Sequence, residues 1–548
     1  MITENFVPYL IDSLKEFWDL PAFTDYGKNT ITYAEAAREI AWLYKVFAQS
    51  GIQKGDKITL SGKNSTNWAI VYLATVSYGA VVVPVLANFS PEDMQHIINH
   101  SESKFAFIAK EIYDSIDETN LRQIECIANL NDMSLLIDHK KYFAQDKWES
   151  LRSEAKQSIR SRDEFKEIFP TDNADLAAII YTSGTTGFSK GVMLPHNSLM
   201  ANVIVARENL LFKVGAPVIS FLPLAHAYAC SFDLLYPFTR GNHIYFMDKT
   251  PSPKVLLQAM QEVKPYVVLA VPLMLEKIYK KTIQPVLEKT TVKVARNIPL
   301  VKDILKKKFH DKLIEAFGGR ITEFVVGGAA LNPEVEIFLK EIKFPFTIGY
   351  GMTECGPLIS YIRWHLHRPF SSGKVVDFLK VTIDSPDPAN IPGEIIIEGE
   401  QVMNGYYKNP DATKDVLDDR KRLHTGDIGT MDKDNFVYIK GRSKNMILGS
   451  SGENIYPEEI EQKMNNLPYI AETLVVERNH KLVALVYPDY ELLDQEKIHE
   501  SELAGIMEEN RKKLNQSVSE FSRIGQIKIV SEPFQKTPTQ KIKRYLYH

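Results

Sequence analysis

Short apolar runs rich in β-branched residues constrain the fold of this chain more than any other feature. Helical patterns separate these runs, which are DKITLSG (56–62), AVVVPV (80–85), KFAFIA (104–109), AAII (177–180), HIYFM (243–247), YVVLAV (266–271) and EFVVGG (323–328). Strands that alternate with helices form mainly parallel sheets, and the ligands of such sheets bind beyond the carboxyl ends of the strands. The pattern therefore predicts an α/β fold with mainly parallel sheets flanked by helices.

After about residue 370 the pattern changes to short β-rich pieces, including GEIIIEG (393–399), DNFVYIKG (434–441) and TLVVERNHKLVALVY (473–487). The last piece predicts a hairpin that turns at Asn479 and His480, and a charged helical stretch and a basic tail follow it. We expect a large N-terminal domain over residues 1–441, with a β-rich subdomain from about 370 to 441. A small α+β C-terminal domain should occupy residues 442–548, beginning at the polar segment 442–445.

Residues 69–89 carry no charge and are long enough to cross a bilayer of roughly 30 Å. Gly79 and Pro84 interrupt the stretch, however, and β-branched residues precede the proline. We therefore predict a buried helix that leads into a short central strand. The N-terminus carries acidic residues early and has no basic start before an apolar core, so we expect no secretory signal.

Composition narrows the classes of partner and compartment. The chain has 548 residues, 44% of them hydrophobic and 24% charged, as expected of a soluble globular protein with several domains. A net charge of −4 supplies no basic field for nucleic acid, so that partner is not expected. The three cysteines, Cys126, Cys230 and Cys355, are too few and too scattered for a disulfide framework or a zinc site. Cytoplasm is the expected location.

The segment YTSGTTGFSKGV (181–192) follows an apolar strand pattern and concentrates glycine, hydroxyl side chains and a lysine. Glycines let backbone amides approach a ligand, and hydroxyl and ammonium groups add donors, so the segment suits a polyphosphate. It does not match the loop of kinases and GTPases, because Ser189 stands where that loop needs its second glycine. From the residues alone, an ordinary glycine-rich turn remains an alternative.

Further segments recur in a fixed order along the chain. They are YTSGTTGFSKG (181–191), FLPLAHAYA (221–229), VVGGAAL (325–331), GYGMTECGP (349–357), GEIIIEGEQVMNGYYKNP (393–410), HTGDIG (424–429), KGRSKNMI (440–447) and KTPTQKIKR (536–544). In this order and approximate spacing the chain resembles the acyl-adenylate-forming superfamily, also called AMP-binding ligases, over essentially its full length. GGAAL, VPLMLEKIY (271–279) and KTPTQKIKR look most like the bacterial long-chain fatty acid CoA ligases.

The resemblance implies a reaction in two steps that uses ATP, Mg²⁺ and coenzyme A. A carboxylate attacks the α-phosphate of ATP and releases pyrophosphate, and the thiol of coenzyme A then displaces AMP from the acyl-adenylate. Such chemistry needs no covalent enzyme intermediate. Cations and donors placed around the phosphorus must supply the catalysis.

The resemblance also implies roles for particular residues at the nucleotide. The loop over the β- and γ-phosphates comprises Thr182, Ser183, Gly184, Thr185, Thr186, Gly187 and Lys190, of which Thr186 is also a catalytic candidate. Glu354 is expected to bind Mg²⁺ and to be catalytic, and Thr353 to contact the α-phosphate. The adenine is expected against Tyr350 and Gly351, beside the small residues Gly328, Ala329 and Ala330. Asp427 and Arg442 are expected at the ribose hydroxyls. From the residues alone, a solvated glutamate and a turn aspartate paired with an arginine remain alternatives.

The remaining candidates concern the acid and the movement of the small domain. His226 is expected near the carboxylate and the mouth of the acyl pocket, although a lone histidine is more often a packed one. The resemblance makes Lys541 the cation of the first step and Lys444 the hinge of a mobile C-terminal domain. After the swing, Gly452 would line the pantetheine channel. Two mild departures from the family are Gln540, where many members have glycine, and Asn445, where an acid is common.

The substrate hypothesis is a long-chain fatty acid, because segments 227–238 and 271–275 offer apolar residues for an acyl tunnel. An aryl acid in a short pocket is the alternative. A carrier protein could replace free coenzyme A as the acceptor, and a catalytically silent nucleotide-binding relative is a further alternative. Segment 288–313 concentrates lysines beside apolar residues, which gives a hypothesis of peripheral membrane contact.

Overall fold

The computed structural model describes residues 2–144, 146–166, 169–182, 189–210, 212–247, 252–295, 297–449, 453–479, 481–537 and 541–547. Its strands are β1 (Pro21–Asp25), β2 (Thr30–Thr32), β3 (Lys57–Ser61), β4 (Val81–Val85), β5 (Phe105–Ile108), β6 (Cys126–Asn129), β7 (Leu135–Asp138), β8 (Leu176–Thr182), β9 (Lys190–Pro195), β10 (Pro217–Ser220), β11 (His243–Phe246), β12 (Val267–Ala270), β13 (Glu323–Val326), β14 (Phe346–Ile348), β15 (Tyr350–Gly351), β16 (Leu358–Tyr361), β17 (Lys374–Val375), β18 (Leu379–Asp384), β19 (Gly393–Gly399), β20 (Leu423–Met431), β21 (Val437–Arg442), β22 (Ile447–Leu448), β23 (Asn454–Ile455), β24 (Ile470–Arg478), β25 (Lys481–Pro488) and β26 (Gln526–Ile529).

The α-helices are α1 (Phe6–Glu16), α2 (Tyr33–Gln49), α3 (Thr66–Tyr78), α4 (Pro91–Ser101), α5 (Lys110–Tyr113), α6 (Lys147–Ser158), α7 (His196–Asn209), α8 (Ala227–Ala229), α9 (Tyr236–Thr239), α10 (Pro253–Val263), α11 (Pro272–Ile278), α12 (Gln284–Glu288), α13 (Thr290–Ala295), α14 (Pro299–Ala316), α15 (Pro333–Glu341), α16 (Pro410–Lys414), α17 (Pro457–Met464), α18 (Tyr490–Glu496) and α19 (Glu500–Ser517). Polar caps fix several starts. At α2, for example, Thr32 and Glu35 form a reciprocal capping box.

A seven-stranded sheet in the order β7-β6-β5-β3-β4-β8-β9 forms the centre of the N-terminal part. Its inner neighbours are parallel, whereas the edge pairs β6–β7 and β8–β9 are antiparallel. The predicted apolar runs form strands β3, β4, β5, β8, β11, β12 and β13, which confirms the predicted α/β class. Wholly buried runs of this kind are expected where helices cover both faces of a sheet.

The uncharged stretch 69–89 forms the buried helix α3 and the interior strand β4, as predicted. Ser65 caps the start of α3, and Gly79 ends the helix with a φ of +84°, a left-handed conformation that glycine adopts at little cost. None of the helices that the structure describes combines the length and the apolar character needed to span a bilayer.

Two smaller sheets bring the ends of predicted site segments together. Strands β10, β11 and β1 run parallel, with β2 antiparallel at one edge, and β12, β13 and β14 form a separate parallel sheet. The chain leaves the carboxyl ends of β12, β13 and β14 into segments 271–275, 327–331 and 349–357 respectively. Three of the motifs therefore lie at one edge of one sheet, where ligands of parallel sheets bind.

The short β-rich pieces predicted after about residue 370 form mainly antiparallel pairs, and such strands begin already at β15. Strands β15 to β17 and β18 to β21 form two sheets, and 442–445, the predicted boundary, covers the end of β21 and a 3-10 turn, Ser443–Asn445. The C-terminal part packs α17 and α19 on the sheet β24-β25-β26. The predicted hairpin is β24–β25, closed by the pair Arg478 and Lys481, with Asn479 in its turn. His480 lies outside the described residues.

Candidate active site

The predicted phosphate loop joins two strands that pair with each other. Thr182 at the end of β8 pairs with Lys190 at the start of β9, so the hairpin fixes both ends of the loop. The loop residues Ser183, Gly184, Thr185, Thr186 and Gly187 lie outside the described residues. The ammonium of Lys190 lies 4.9 Å from the ring centroid of Tyr406, within the range of a cation–π contact.

Tyr406 connects the loop to the predicted metal ligand. Its segment runs beside β9, because the amide of Tyr407 donates to the Gly191 carbonyl at 2.8 Å. The Tyr406 hydroxyl donates to Oε1 of Glu354 at 2.9 Å. Tyr406 belongs to the motif GEIIIEGEQVMNGYYKNP (393–410), from which no role for it was predicted. Its place after a glycine and before a second tyrosine identifies neither contact.

The segment GYGMTECGP (349–357) holds Glu354 in a tight, half-buried turn. Two side chains of α7 contact this region. Oδ1 of Asn202 accepts a hydrogen bond from the amide of Leu358, just after the turn, at 3.2 Å. The Ser198 hydroxyl donates to the Gln401 carbonyl at 2.8 Å. Thr353 and Glu354 lie on a 3-10 turn, Thr353–Cys355, and are both half-buried.

Gly351 precedes this turn where no side chain fits. A Cβ atom at Gly351 would lie 2.2 Å from the carbonyl oxygen of Pro357, which is backbone and cannot rotate away. The glycine of the motif therefore allows the two arms of the turn to approach each other. The amide of the next residue, Met352, donates to the same Pro357 carbonyl at 2.9 Å.

Asp427, Tyr350 and Arg442 form one hydrogen-bonded group. The Tyr350 hydroxyl donates to Oδ2 of the buried Asp427 at 2.7 Å, and Nε of Arg442 donates to Oδ1 at 2.7 Å. The register of β20 and β21 places Asp427 opposite Arg442. Each carboxylate oxygen can accept two hydrogen bonds, so both retain capacity for a ligand hydroxyl. Burial, followed by the Asp427 charge, raises the pKa of Tyr350 well above its usual value, so its hydroxyl is a donor at neutral pH.

The small residues Gly328, Ala329 and Ala330 are exposed beyond the end of β13. Gly328 has a φ of +89°, a conformation that favours glycine, and a Cβ there would lie 4.0 Å from the Val271 side chain. Because β13 lies between β12 and β14, these residues lie between Val271 and the Tyr350 segment. The exposed segment that follows β13 thus carries small side chains, as the adenine hypothesis requires.

Lys541 lies among these groups although it is distant in sequence. Burial lowers the pKa of its ammonium, and the nearby charge of Arg442 lowers it further, whereas Asp427 and Glu354 act in the opposite direction. Lys541 is nevertheless exposed, so its ammonium reaches solvent as well as these charged groups. A cation in this position attracts an anion such as a phosphate group.

His226 lies beside Lys541 on the turn that precedes α8. Burial lowers the pKa of His226 to about 4, and the positive charge of Lys541 adds to that effect. The imidazole is therefore neutral at pH 7 and can donate one hydrogen bond without adding charge. The structure thus brings together Lys541, His226, Glu354, Asp427 and Arg442, which all came from separate motifs.

Among the residues that the structure describes, no three or more His, Cys, Asp or Glu side chains form a group that could hold a metal ion. Mg²⁺ commonly takes one or two protein carboxylates and completes its shell with phosphate oxygens and water. Glu354, with one oxygen held by Tyr406, fits that habit. The predicted CoA-channel residue, Gly452, lies outside the described residues.

Comparisons with known proteins identify the family of this chain. The family model described as AMP-binding enzyme matches residues 12–407, and the model described as AMP-binding enzyme C-terminal domain matches residues 444–547. Long chain acyl-CoA synthetase 6, peroxisomal, of Arabidopsis thaliana is 28% identical over 572 aligned positions, which cover 94% of this chain and 79% of that protein.

Two solved structures show the same fold. The anthranilate CoA ligase AuaEII in complex with anthranoyl-AMP has a TM-score of 0.81 at 18% identity, covering 100% of this chain and 97% of that one. ATP-bound MatB from Rhodopseudomonas palustris has a TM-score of 0.77 at 21% identity, covering 99% of this chain and 98% of that one. Given these matches, with the first family model spanning more than half of its length, the chain belongs to the AMP-binding enzyme family.

Proposed function

We propose that this protein is an ATP-dependent acid–CoA ligase that forms an acyl-adenylate and transfers the acyl group to coenzyme A, with release of pyrophosphate and AMP. The observation that carries the proposal is the convergence of Lys541, Arg442, His226, Glu354 and Asp427 in one cleft. This set combines two cations, a neutral imidazole and two carboxylates. It suits an anionic nucleotide whose α-phosphorus a carboxylate attacks.

In the proposed first step, Lys541 supplies positive charge to the α-phosphate and to the incoming carboxylate. Both groups are anionic, and a cation in a partly desolvated site reduces their mutual repulsion. Neutral His226, next to Lys541, orients the carboxylate through a hydrogen bond. Asp427 and Arg442 hold the ribose, and the loop between β8 and β9 holds the outer phosphates. Glu354 would hold Mg²⁺, which supplies charge neutralisation at the phosphates when it is bound.

We further propose a long-chain fatty acid as the substrate. Val271 and Leu273 are 39% and 48% exposed and follow β12, at the same edge of the sheet from which Gly328 follows β13, so apolar surface lies beside that segment. Segment 227–238 follows His226 as a buried, apolar helical stretch. The Tyr228 ring packs against Gly327, and its hydroxyl donates to the Val325 carbonyl at 3.2 Å. An apolar chain that extends from His226 would therefore lie along these residues.

A panel of acids tests the substrate class. Each buried methylene contributes about 0.8 kcal/mol, so kcat/KM should rise about fourfold per methylene until the tunnel ends. We expect this rise between acetate and palmitate in a coupled pyrophosphate-release assay. Benzoate and anthranilate form the second arm. A flat profile across the alkyl acids with high activity on an aryl acid would favour the aryl-acid ligase instead.

Substitution of Lys541 tests the proposed catalytic role. Lys541→Ala should lose formation of acyl-AMP while it retains transfer to coenzyme A from supplied acyl-adenylate. Lys543→Ala is the matched control, because it removes the same charge from the same segment two residues away. Similar losses in both half-reactions for Lys541→Ala, or similar losses for both variants, would contradict the role.

The proposed swing of the small domain about Lys444 predicts the opposite result at Gly452. Gly452→Leu should retain acyl-AMP formation and lose transfer to coenzyme A, because a side chain would obstruct the pantetheine channel. Equal damage to both half-reactions by Gly452→Leu would argue against the swing. The division into domains 1–441 and 442–548 belongs to the same proposal.

The other hypotheses have distinct readouts. Transfer to a phosphopantetheine carrier protein with no transfer to free coenzyme A would make the protein a loading ligase. ATP binding without pyrophosphate release on any acid would indicate a silent relative. Exposed Val294, Ile298 and Ile304 on and between α13 and α14 support peripheral membrane contact together with the neighbouring lysines. Salt-sensitive sedimentation with anionic vesicles, absent with neutral ones, is the expected result for that hypothesis.

A further inference from the structure

A buried ion pair lies at the base of the segment that carries Lys541. Nη1 and Nη2 of Arg544 donate to the two carboxylate oxygens of Glu461 at 2.9 and 2.8 Å. The side chains are only 17% and 12% exposed. Oε1 of Glu461 also accepts a hydrogen bond from the amide of Val475 at 2.6 Å. Nη2 of Arg544 donates to the Val475 carbonyl at 3.2 Å. The pair is therefore bidentate, nearly dry and joined to strand β24.

The pair connects two parts of the C-terminal domain. Glu461 belongs to α17, whereas Arg544 follows Lys541 by three residues at the end of the chain. Residues 535–537 pair with residues 541–543, since the amide of Thr537 donates to the Lys541 carbonyl and that of Lys543 to the Gln535 carbonyl, both at 2.8 Å. Lys536 forms a second ion pair with Glu472 at the other arm. Both arms are thus anchored to β24 or α17.

We propose that Arg544 and Glu461 are positioning residues for Lys541, an inference that rests on the proposed function. The bidentate pair fixes the returning arm of the segment to α17, so that Lys541 moves with the C-terminal domain as a rigid unit. Arginine suits this place because its planar guanidinium matches a carboxylate and a carbonyl at once, whereas lysine offers a point charge. Within the described part of the chain, the side chains of Arg544 and Glu461 form no hydrogen bond or ion pair with Glu354, Asp427 or Arg442.

The physical requirement for such a pair follows from the position of Lys541. The lysine must lie within hydrogen-bond distance of the reacting atoms in the first step, and a displacement of about 1 Å at such a group costs on the order of 100-fold in rate. A segment held only by its own hydrogen bonds would not keep that position, because a chain segment stays mobile unless it is tied to the rest of the domain. Removal of one partner also leaves a buried charge unpaired, which disrupts the local structure.

The first experiment compares the half-reactions of full-length variants. Arg544→Gln and Glu461→Gln should lower the rate of acyl-AMP formation by roughly tenfold to 100-fold and leave transfer from supplied acyl-adenylate within about twofold of wild type. Arg544→Lys should recover part of the loss. Arg523→Gln is the matched control, because Arg523 forms an exposed pair with Glu520 at 3.7 Å in the same domain. Equal losses in both half-reactions would mean that the pair only stabilises the domain and would overturn the inference.

Hydrogen exchange of the full chain tests the pair even if the protein forms no acyl-AMP. In Arg544→Gln, amides of residues 541–547 should exchange about tenfold faster, while those of β25 remain as in wild type. Unchanged exchange in the segment, or an equal rise throughout the C-terminal domain, would refute the positioning role. A wild-type protein without pyrophosphate release on any acid would refute the proposed function separately.

Discussion

Lys280 belongs to the N-terminal part, and its side chain contacts the C-terminal domain. Its substitution gives a quantitative test of how firmly the two parts dock against each other. It lies on the helical turn Tyr279–Ile283, which follows α11. Its ammonium donates to the carbonyl oxygens of Asn465 and Ile470 at 2.5 and 3.4 Å. Asn465 is the C-cap of α17, so the cation also lies at the negative end of that helix.

The structure sets the size of the expected effect. A hydrogen bond to a charged group contributes about 1.5–3 kcal/mol. Burial lowers the pKa of Lys280, so desolvation offsets part of that gain, although Glu276, Asp489 and Glu334 favour the charged form. Lys280→Met should therefore weaken docking by about 1.5–3 kcal/mol, with the lower value favoured, which corresponds to about 10- to 150-fold in the equilibrium.

The assay measures the two half-reactions, because the described orientation brings Lys541 to the cleft and should be the one that forms acyl-AMP. Lys280→Met should lower acyl-AMP formation by about tenfold or more and leave transfer from supplied acyl-adenylate unchanged or faster. Lys281→Met is the control, since Lys281 pairs with Glu491 at 3.0 Å where the side chains are 68% and 74% exposed. Such exposed pairs contribute about 0.2–1 kcal/mol, or at most about fivefold.

Two results would refute this reasoning. Equal effects of Lys280→Met and Lys281→Met would mean that the buried contacts add nothing to docking. A loss of transfer together with retained acyl-AMP formation would mean that the Lys280 contacts belong to the second orientation. Melting temperatures of both variants serve as the check that neither change unfolds the N-terminal part.

Three further predictions follow from single residues. The rate of acyl-AMP formation should fall at alkaline pH with a midpoint below 10.5, because burial lowers the pKa of the required Lys541 ammonium. A pH–rate profile of each half-reaction is the measurement, and the transfer step should show no such fall. Gly351→Ala should abolish both half-reactions, since its Cβ would meet the Pro357 carbonyl at 2.2 Å; intact activity would refute the tight turn. Burial raises the pKa of Glu323 from 4.5 to about 7, so the fold favours its neutral form and loses stability as pH rises through that window. The loss is about 3 kcal/mol, and Glu323→Gln should melt with less dependence on pH between 5 and 8.

The sheet strands could be predicted from sequence because their signal is local. Each apolar run contains enough β-branched residues to identify a buried strand without knowledge of its neighbours, as in Val81–Val85 and Glu323–Val326. The change to short β-rich pieces after about residue 370 could be predicted for the same reason, although the antiparallel pairing of those pieces could not. Strand order was not predictable, since β8 pairs with β4 although more than ninety residues separate them in the sequence.

Most candidate site residues came from motifs, and the structure adds their mutual arrangement. Glu354 and Asp427 were named singly, but the hydrogen bonds from Tyr406 and Tyr350 depend on side-chain directions that spacing does not give. Tyrosine has a polar hydroxyl on a large apolar ring, so a tyrosine in a motif is equally compatible with a place in the hydrophobic core. The structure distinguishes the two roles because it shows which hydroxyl reaches a carboxylate.

Contacts to backbone carbonyls are invisible to sequence reasoning, and this explains why Lys280 was missed. Its partners, the carbonyls of Asn465 and Ile470, are present at every residue of every chain, so no side-chain type marks the recipient. Arg544, by contrast, has a carboxylate partner but lies among other basic residues of the tail. Only the fold separates its buried pair with Glu461 from the solvated lysines around it. Orientation of the C-terminal domain therefore rests on interactions that sequence patterns do not encode, although the groups that it delivers to the cleft are encoded by recognisable motifs.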